Sequence, residues 1–395
     1  MLGLPEGHGL KVKKDAKSFF YQFPLHKSLQ SIMISRVGGA RGKFDVLEWL
    51  VMTMGLCFAP GVAQQTAMHV CRNVVDAARE EVLEAWVDNF LFGTLMAQEM
   101  DDLERRFEEV RQIINLELKP SEPAARVLRC LGLLLDVSAD NVNEHFATLD
   151  EDFVAALSGH AENIRDNMTP RELFQVFGSL MWANFAIMRQ PLARWSNALD
   201  LIRETARLMH KNPETWDSTI AVSATVQDEL AEMIELAKVA TLTLDDLQYP
   251  VAISTQWSDA CSSCFGYLRY SEGCVYGLSR SFEGLDIYTA ELLAGADSLV
   301  SASDVPLQIM DNQPALRALR KGHSSTKAGN LIIRRLWESF SQPVAYLCWA
   351  PSGCNHSDPM SRGCGRYPVM PHGGAPCSHV TTPEPLLWNP RPIRN

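Results

Sequence analysis

The order of apolar and polar residues predicts two α/β regions separated by a helical one. Over residues 1–145, short apolar runs alternate with turn residues and with stretches of helical period, which is typical of an α+β domain. The run Ile32–Val37, followed by two glycines, is typical of a strand that enters a turn. Between Met96 and Ile114, apolar residues recur at helical spacing among acids and arginines, so we predict a surface helix there.

One segment of this first region, EAWVDNFLF, places an acid and an amide side by side at Asp88 and Asn89. Two polar residues between two apolar runs predict a β-hairpin. We expect Asp88 and Asn89 to form its loop, because Asn tolerates a positive φ. By itself the pair indicates a turn, and a chemical role for it depends on the rest of the chain.

Residues 146–249 are predicted to be largely helical. A helix start is expected at Thr169, with Thr169 as the N-cap, Pro170 at the first helical position and Glu172 completing a capping box.

From residue 250 the pattern changes to strands, and a second α/β domain is predicted over residues 250–365. Within it we expect a helix that begins near Tyr288, a strand at Val305–Met310 and another helix after Asp311. Residues 366–395 are rich in Pro, Gly and His, so we predict a disordered tail.

Composition narrows the class of protein only slightly. The chain has 395 residues, of which 46% are hydrophobic and 21% charged, as in ordinary globular proteins. The sequence lacks an apolar run long enough to span a membrane, and charges occupy the N-terminus where a signal peptide needs an apolar core. Ten scattered cysteines suit reduced thiols, so we expect a cytoplasmic or nuclear protein that is not secreted. The net charge of −11 argues mildly against nucleic-acid binding without excluding it.

Four acids of the C-terminal region are the main candidates for chemistry. Acids at the ends of core strands are costly unless they are paired or bound to metal, and a cluster of four carboxylates is what two Mg²⁺ ions require. Taken singly, each acid is more simply a helix cap or a solvated loop residue. The four candidates are Asp259, Glu291, Asp311 and Asp358.

Together, the order and context of these acids resemble the ribonuclease H family. The shared pattern is a strand with Asp259, a helix with Glu291-Leu-Leu-Ala, a strand followed by Asp311-Asn, and Asn-x-x-Asp358 ahead of Ser-Arg. The segments after Asp311 look most like the enzyme of DIRS-order (tyrosine-recombinase) retrotransposons. The resemblance implies that these four acids bind Mg²⁺, or Mn²⁺, and cleave the RNA strand of an RNA–DNA hybrid.

The N-terminal region resembles the reverse transcriptase that precedes such a nuclease in retroelement polyproteins. The segment DAKSFFYQFPL resembles the first catalytic motif, which implies that Asp15 binds metal and that Phe20 lies under the sugar of a deoxynucleotide. The segment MTMGLCFAPGVAQ resembles the second motif. This resemblance implies that three residues of the segment, Gly55, Pro60 and Gln64, contact the substrate.

Three further segments follow in the family's order. Trp86-Val87-Asp88-Asn89 stands where the family has an aromatic-x-Asp-Asp hairpin, which implies that Asp88 and Asn89 are metal ligands. Lys119 matches a motif lysine that can protonate the leaving pyrophosphate. The helical segment ELFQVFGSLMWANFAIMRQPL resembles the connection between polymerase and nuclease.

The resemblance implies an α+β reverse transcriptase palm and thumb over residues 1–145, a helical thumb or connection region over 146–249, and an α/β ribonuclease H-like domain over 250–365. Its partners would be an RNA template with a DNA primer, an RNA–DNA hybrid and deoxynucleotides. Two features depart from the family. Only residues 1–14 precede Asp15, so the fingers are expected to be largely missing, and Asn89 replaces a charged ligand. A decayed or co-opted protein that binds nucleic acid or acts as a scaffold without catalysis remains the alternative.

Overall fold

In the computed structural model, the protein is of mixed α/β structure and forms two compact units. The first unit comprises Met1–Ala147 with Thr243–Leu247, and the second comprises Thr148–Leu242 with Gln248–Asn395. The structure describes residues 10–30, 34–38, 44–53, 59–76, 81–94, 97–120, 125–139, 141, 144–243, 246, 250–271, 273–362 and 380–388. Among the helices of these residues, none is long and apolar enough to cross a membrane.

The first unit is built from short antiparallel strands and two long helices. The strands β1, β5 and β4 form one sheet in that order, and β2–β3 and β6–β7 are antiparallel pairs. Its strands are β1 (Leu10–Asp15), β2 (Ile34–Gly38), β3 (Phe44–Glu48), β4 (Val82–Trp86), β5 (Asn89–Thr94), β6 (Val127–Cys130) and β7 (Leu133–Asp136). Its helices are α1 (Lys27–Gln30), α2 (Ala59–Val74) and α3 (Ala97–Ile113). The chain passes between the units within β8 (Phe146–Leu149) and β11 (Thr241–Thr243).

Aromatic packing fixes α3 against the β1–β5–β4 sheet. Phe90 and Phe92 alternate along β5 and therefore face the same side, where both are fully buried. Phe107 of α3 contacts both rings edge-on, at centroid distances of 5.1 and 5.0 Å. Leu103, one helical turn earlier on the same face, is also fully buried. The helix predicted between Met96 and Ile114 is therefore confirmed, and its apolar stripe is what holds it to the sheet.

The β4–β5 hairpin turns one residue earlier than predicted. Trp86 pairs with Asn89, so the loop is Val87-Asp88, and Val87 has a φ of 53°. A positive φ is costly for a β-branched residue. The side chain of Gln64 on α2 holds this arrangement, because it donates to Ala85 O at 2.9 Å and accepts from Val87 N at 2.7 Å. The prediction of an Asp88-Asn89 loop was wrong because these hydrogen bonds come from a distant helix.

The second unit combines a helical segment with a six-stranded sheet. The helical segment contains α4 (Glu151–Asn163), β9 (Asn167–Met168), α5 (Pro170–Ala183), α6 (Ser196–Lys211), β10 (Ile220–Ala221) and α7 (Ala224–Val239). The sheet region contains β12 (Ser254–Ala260), β13 (Cys264–Ser271), β14 (Cys274–Ser281), α8 (Ile287–Val300), β15 (Pro306–Met310), α9 (Gln313–Lys321), α10 (Lys327–Ser339), β16 (Tyr346–Trp349), α11 (Asp358–Ser361) and β17 (Glu384–Pro385). The predicted helix and strand near Tyr288 and Val305–Met310 correspond to α8 and β15.

The capping box predicted at Thr169 is present. The Thr169 side chain accepts from Glu172 N, and the Glu172 carboxylate accepts from Thr169 N at 2.7 Å. The helical segment and the sheet region both lie in the second unit. Ala193 N donates to Gly322 O at 2.8 Å, and Arg194 lies over the Trp337 ring.

The sheet of the second unit has the order β14-β13-β12-β15-β16-β17. β12, β15 and β16 run parallel, whereas the other neighbouring pairs are antiparallel. Helix α8 connects β14 to β15 and packs against β12, and its residues are buried on nearly every side. A helix that is apolar all round is expected where both of its faces are covered.

The last described segment differs from the predicted disordered tail. β17 pairs with β16, and Trp388 is only 3% exposed. The Trp388 Nε1 donates to Leu319 O of α9 at 2.7 Å. Composition suggested disorder because Pro, Gly and His dominate residues 366–395, yet Leu386 and Trp388 are large enough to complete the core beside α9.

Candidate metal centre

Three of the predicted acids meet at one edge of the six-stranded sheet. One carboxylate oxygen from each of Asp259, Glu291 and Asp311 lies within 4.8 Å of the others. Asp259 lies near the end of β12 and Asp311 follows β15. Because β12 and β15 are parallel neighbours, their carboxyl ends lie at the same edge. Glu291 reaches this edge from the first half of α8, which packs on β12.

The three carboxylates fit a divalent cation. Asp259 and Glu291 are 6% and 5% exposed, and Asp311 is half-buried. Glu291 Oε2 is buried and has no hydrogen-bond partner among the described residues. A buried carboxylate oxygen without a donor is costly, and hard cations such as Mg²⁺ take oxygen ligands of this kind. The cluster is therefore able to hold a metal ion.

Burial and mutual repulsion shift the pKa values of the two deeper acids. Burial raises the pKa of Glu291 to about 9, and the negative charges of Asp259 and Asp311 add to this effect. Burial likewise raises the pKa of Asp259 to about 6, against the hydrogen bond from Ser361, and Asp311 and Asp358 contribute repulsion. Both shifts favour the protonated forms. A bound cation would have the opposite effect, because it favours the charged carboxylates.

Two polar residues that the sequence did not single out contact Asp259. Ser361 Oγ lies 2.5 Å from Asp259 Oδ2, and Asn355 Nδ2 lies 3.4 Å from Asp259 Oδ1. Both belong to the Asn-x-x-Asp and Ser-Arg motifs that flank Asp358 in the sequence. The motifs were therefore the available signal, although they do not indicate which residue these side chains contact.

Asp358, the fourth predicted acid, lies outside the tight cluster. It begins α11 and pairs with Arg362, whose Nη2 and Nε donate to its two oxygens at 2.8 and 2.9 Å. Its charge nevertheless contributes to the raised pKa of Asp259. The structure thus brings three of the four predicted nuclease acids together and places Asp358 beside them in an ion pair.

The predicted polymerase ligands lie together in the first unit. Asp15, at the end of β1, is directly opposite Asn89 of β5, and Ala16 N donates to Asp88 O at 2.7 Å. The Asn89 side chain donates to Asp88 Oδ1 at 3.0 Å. Lys119 Nζ lies 3.5 Å from Asp15 Oδ2. Among the described residues, a group of three potential metal ligands occurs at Asp259, Glu291 and Asp311 and not here.

The predicted substrate contacts have varied surroundings. Phe20 is half-buried in a short 3₁₀ helix, Phe19–Gln22, and packs against the core of the first unit. Pro60 is exposed near the start of α2. Gln64 is bonded to the β4–β5 hairpin, so its side chain supports the turn that carries Asp88. Gly55 lies outside the described residues.

Comparison with known proteins gives a distant structural likeness. No family model and no curated protein matches the chain. Among solved structures, it is similar to a foamy viral protease–reverse transcriptase in complex with double-stranded DNA, with 15% identity and a TM-score of 0.41. The match covers 87% of this chain and 57% of that one, so the chain spans little more than half of its length. A likeness this coarse leaves the function to be inferred from the chain's own residues.

Proposed function

We propose that the second unit hydrolyses the RNA strand of an RNA–DNA hybrid with Mg²⁺, or Mn²⁺, as the cofactor. The observation that carries the proposal is the convergence of Asp259, Glu291 and Asp311 within 4.8 Å, where one Glu291 oxygen has no hydrogen-bond partner in the described part of the chain. The order strand–Asp, helix–Glu, strand–Asp along the chain supports it, because the resemblance to ribonuclease H rests on the same order.

In this proposal the three clustered acids hold the metal, and Asp358 completes the set. When bound, divalent ions activate a water molecule and stabilise the leaving oxygen of a phosphodiester. Asp259 and Glu291 form the buried side of the cluster, whereas Asp311 and Asp358 are half-buried. A phosphate would therefore approach from the side of Asp311 and Asp358. Recognition of the hybrid would depend on its backbone and groove shape rather than on base edges.

Substitution of Asp311 tests the nuclease. The 395-residue chain should cleave the labelled RNA strand of an RNA–DNA hybrid in Mg²⁺. Asp311→Asn should lower the rate by at least about 100-fold, since even the neighbours of metal ligands contribute up to about that factor. The matched control is Asp297→Asn, which removes a half-buried acid on α8 that pairs with Arg280 instead, and it should retain activity. Hybrid binding without cleavage by the folded wild type would overturn the proposal and favour a non-catalytic nucleic-acid-binding protein.

We also propose a polymerase site in the first unit, weakened by Asn89. The adjacency of Asp15, Asp88 and Asn89 favours it, with Phe20, Pro60, Gln64 and Lys119 as nucleotide contacts and Gly55 in the same motif. An amide oxygen is a neutral ligand, and cation affinity depends on the ligand charge count.

Primer extension on an RNA template with deoxynucleotides tests this second activity. Asn89→Asp should raise the extension rate roughly tenfold or more, because it restores a charged ligand. Asn73→Asp adds the same charge at an exposed position of α2 and should leave the rate unchanged. The polymerase assignment fails if neither the wild type nor Asn89→Asp extends a primer.

A further inference from the structure

Both oxygens of the Asp259 carboxylate accept hydrogen bonds from buried donors. Ser361 Oγ lies 2.5 Å from Oδ2, and Asn355 Nδ2 lies 3.4 Å from Oδ1. Ser361 and Asn355 are 1% and 7% exposed, so water does not compete freely for these contacts. Short hydrogen bonds to an ionised carboxylate are stronger than those between neutral groups.

The orientation of the Asn355 amide is determined by its other contacts. Its Oδ1 accepts from Ser357 N at 3.1 Å and from Ser357 Oγ at 2.7 Å. Its Nδ2 donates to Ser258 O at 3.0 Å. Because Oδ1 faces a backbone donor, Nδ2 must face Ser258 and Asp259. Asn355 is thus fixed as a donor toward the metal cluster.

Ser361 is fixed in a similar way through its backbone. Ser361 N donates to Ser357 O at 3.1 Å, and the Cys261 thiol donates to Ser361 O at 3.0 Å. The hydroxyl has a single proton and two acceptors nearby, Asp259 Oδ2 at 2.5 Å and Asp358 O at 2.8 Å. The ionised carboxylate is the stronger acceptor, so the proton is directed to Asp259.

We propose that Ser361 and Asn355 are positioning residues, which turn the Asp259 carboxylate so that each oxygen keeps a free lone pair for the metal ion. This inference rests on the proposed metal centre but not on hybrid cleavage. Without these two donors the carboxylate is less restrained in its rotation about the terminal bond, whose rotamer well is broad. Its oxygens would then be less well oriented to bind a metal ion together with those of Glu291 and Asp311. Partners of this kind orient metal ligands in other proteins.

Calorimetric titration of the whole 395-residue chain with Mn²⁺ tests the proposal independently of activity. Ser361→Ala should raise the dissociation constant about tenfold or more. Ser361→Thr should restore most of the affinity, because it returns the hydroxyl. Ser298→Ala is the matched control, since it removes another fully buried serine hydroxyl, one bonded to Gln256 on β12, and its affinity should equal that of the wild type. Thermal melting without metal identifies any variant that fails to fold.

If Ser361→Thr does not fold, Asn355→Ala supplies the second measurement, and it too should weaken Mn²⁺ binding. Wild-type affinity in folded Ser361→Ala and Asn355→Ala would overturn the positioning role. Absence of Mn²⁺ binding by the wild type would overturn both this role and the metal centre. If affinity falls as expected while the wild type leaves the hybrid intact, the positioning role stands and the proposed nuclease activity fails.

Discussion

At the scale of single residues, Glu291 shows how burial sets the chemistry of the cluster. Its ordinary pKa is 4.5, and burial raises the pKa to about 9 in the folded protein. The pKa of Asp259 rises from 3.8 to about 6 for the same reason. The folded protein therefore retains protons that the unfolded chain releases. This contribution to stability is fully present below the ordinary pKa values and is lost as the pH rises through about 6 and then about 9.

Because the pKa values of both acids are raised on folding, we predict that the stability of the metal-free protein falls as the pH rises. With a chelator present, the melting temperature should fall from about pH 5 to about pH 9. Glu291→Gln should make the upper part of that fall shallower, because the amide does not ionise. Saturating Mg²⁺ should also reduce the fall, because a cation favours the charged carboxylates. Melting curves by circular dichroism across this range provide the measurement. An identical slope in the wild type and Glu291→Gln would contradict the prediction.

At the scale of elements, the segment around β17 contributes to the core of the second unit. Trp388 fills space beside α9 so closely that a Cβ on Gly322 would lie 2.7 Å from its ring. Its indole also satisfies the Leu319 carbonyl, one of the last in α9. The segment therefore completes the packing of α9.

We accordingly predict that Trp388→Ala destabilises the protein. Removing a buried Trp side chain should lower the free energy of unfolding by about 3–5 kcal/mol, as cavity formation does in other cores. Leu387→Ala is the control, since Leu387 is 49% exposed and should change stability by less than about 0.5 kcal/mol. Urea unfolding followed by circular dichroism measures both. Equal stability of the two variants would show that the segment does not pack as described.

At the scale of the whole molecule, features set by neighbouring residues could be predicted from the sequence, whereas contacts between distant residues could not. The helical period before Ile114 and the capping box at Thr169 lie within a few residues, and both predicted helices are present. The acids Asp259, Glu291 and Asp311 were found from residue type and order. The contact between Ser361 and Asp259 spans 102 positions, so no local pattern indicates that these two side chains meet.

Dependence on residues far away in the chain also explains why the hairpin loop and the C-terminal segment were predicted incorrectly. The loop of the β4–β5 hairpin depends on Gln64, which is 23 positions from Val87 in the chain. The burial of Trp388 depends on Leu319, which is 69 positions away. Hydrogen bonds and packing of this range are set by tertiary structure, which composition and period do not encode.

The attachment of α11 links ion affinity to local unfolding. This helix has only four residues, too few to be stable in isolation, so its order depends on docking against β12, β13 and β14. Undocking α11 would withdraw the Ser361 hydroxyl from Asp259 while leaving the sheet intact. If docking of α11 raises the affinity of the site for the ion, then binding of the ion must favour docking by the same factor. The bound ion would then stabilise the docked position of α11, in addition to any role in catalysis.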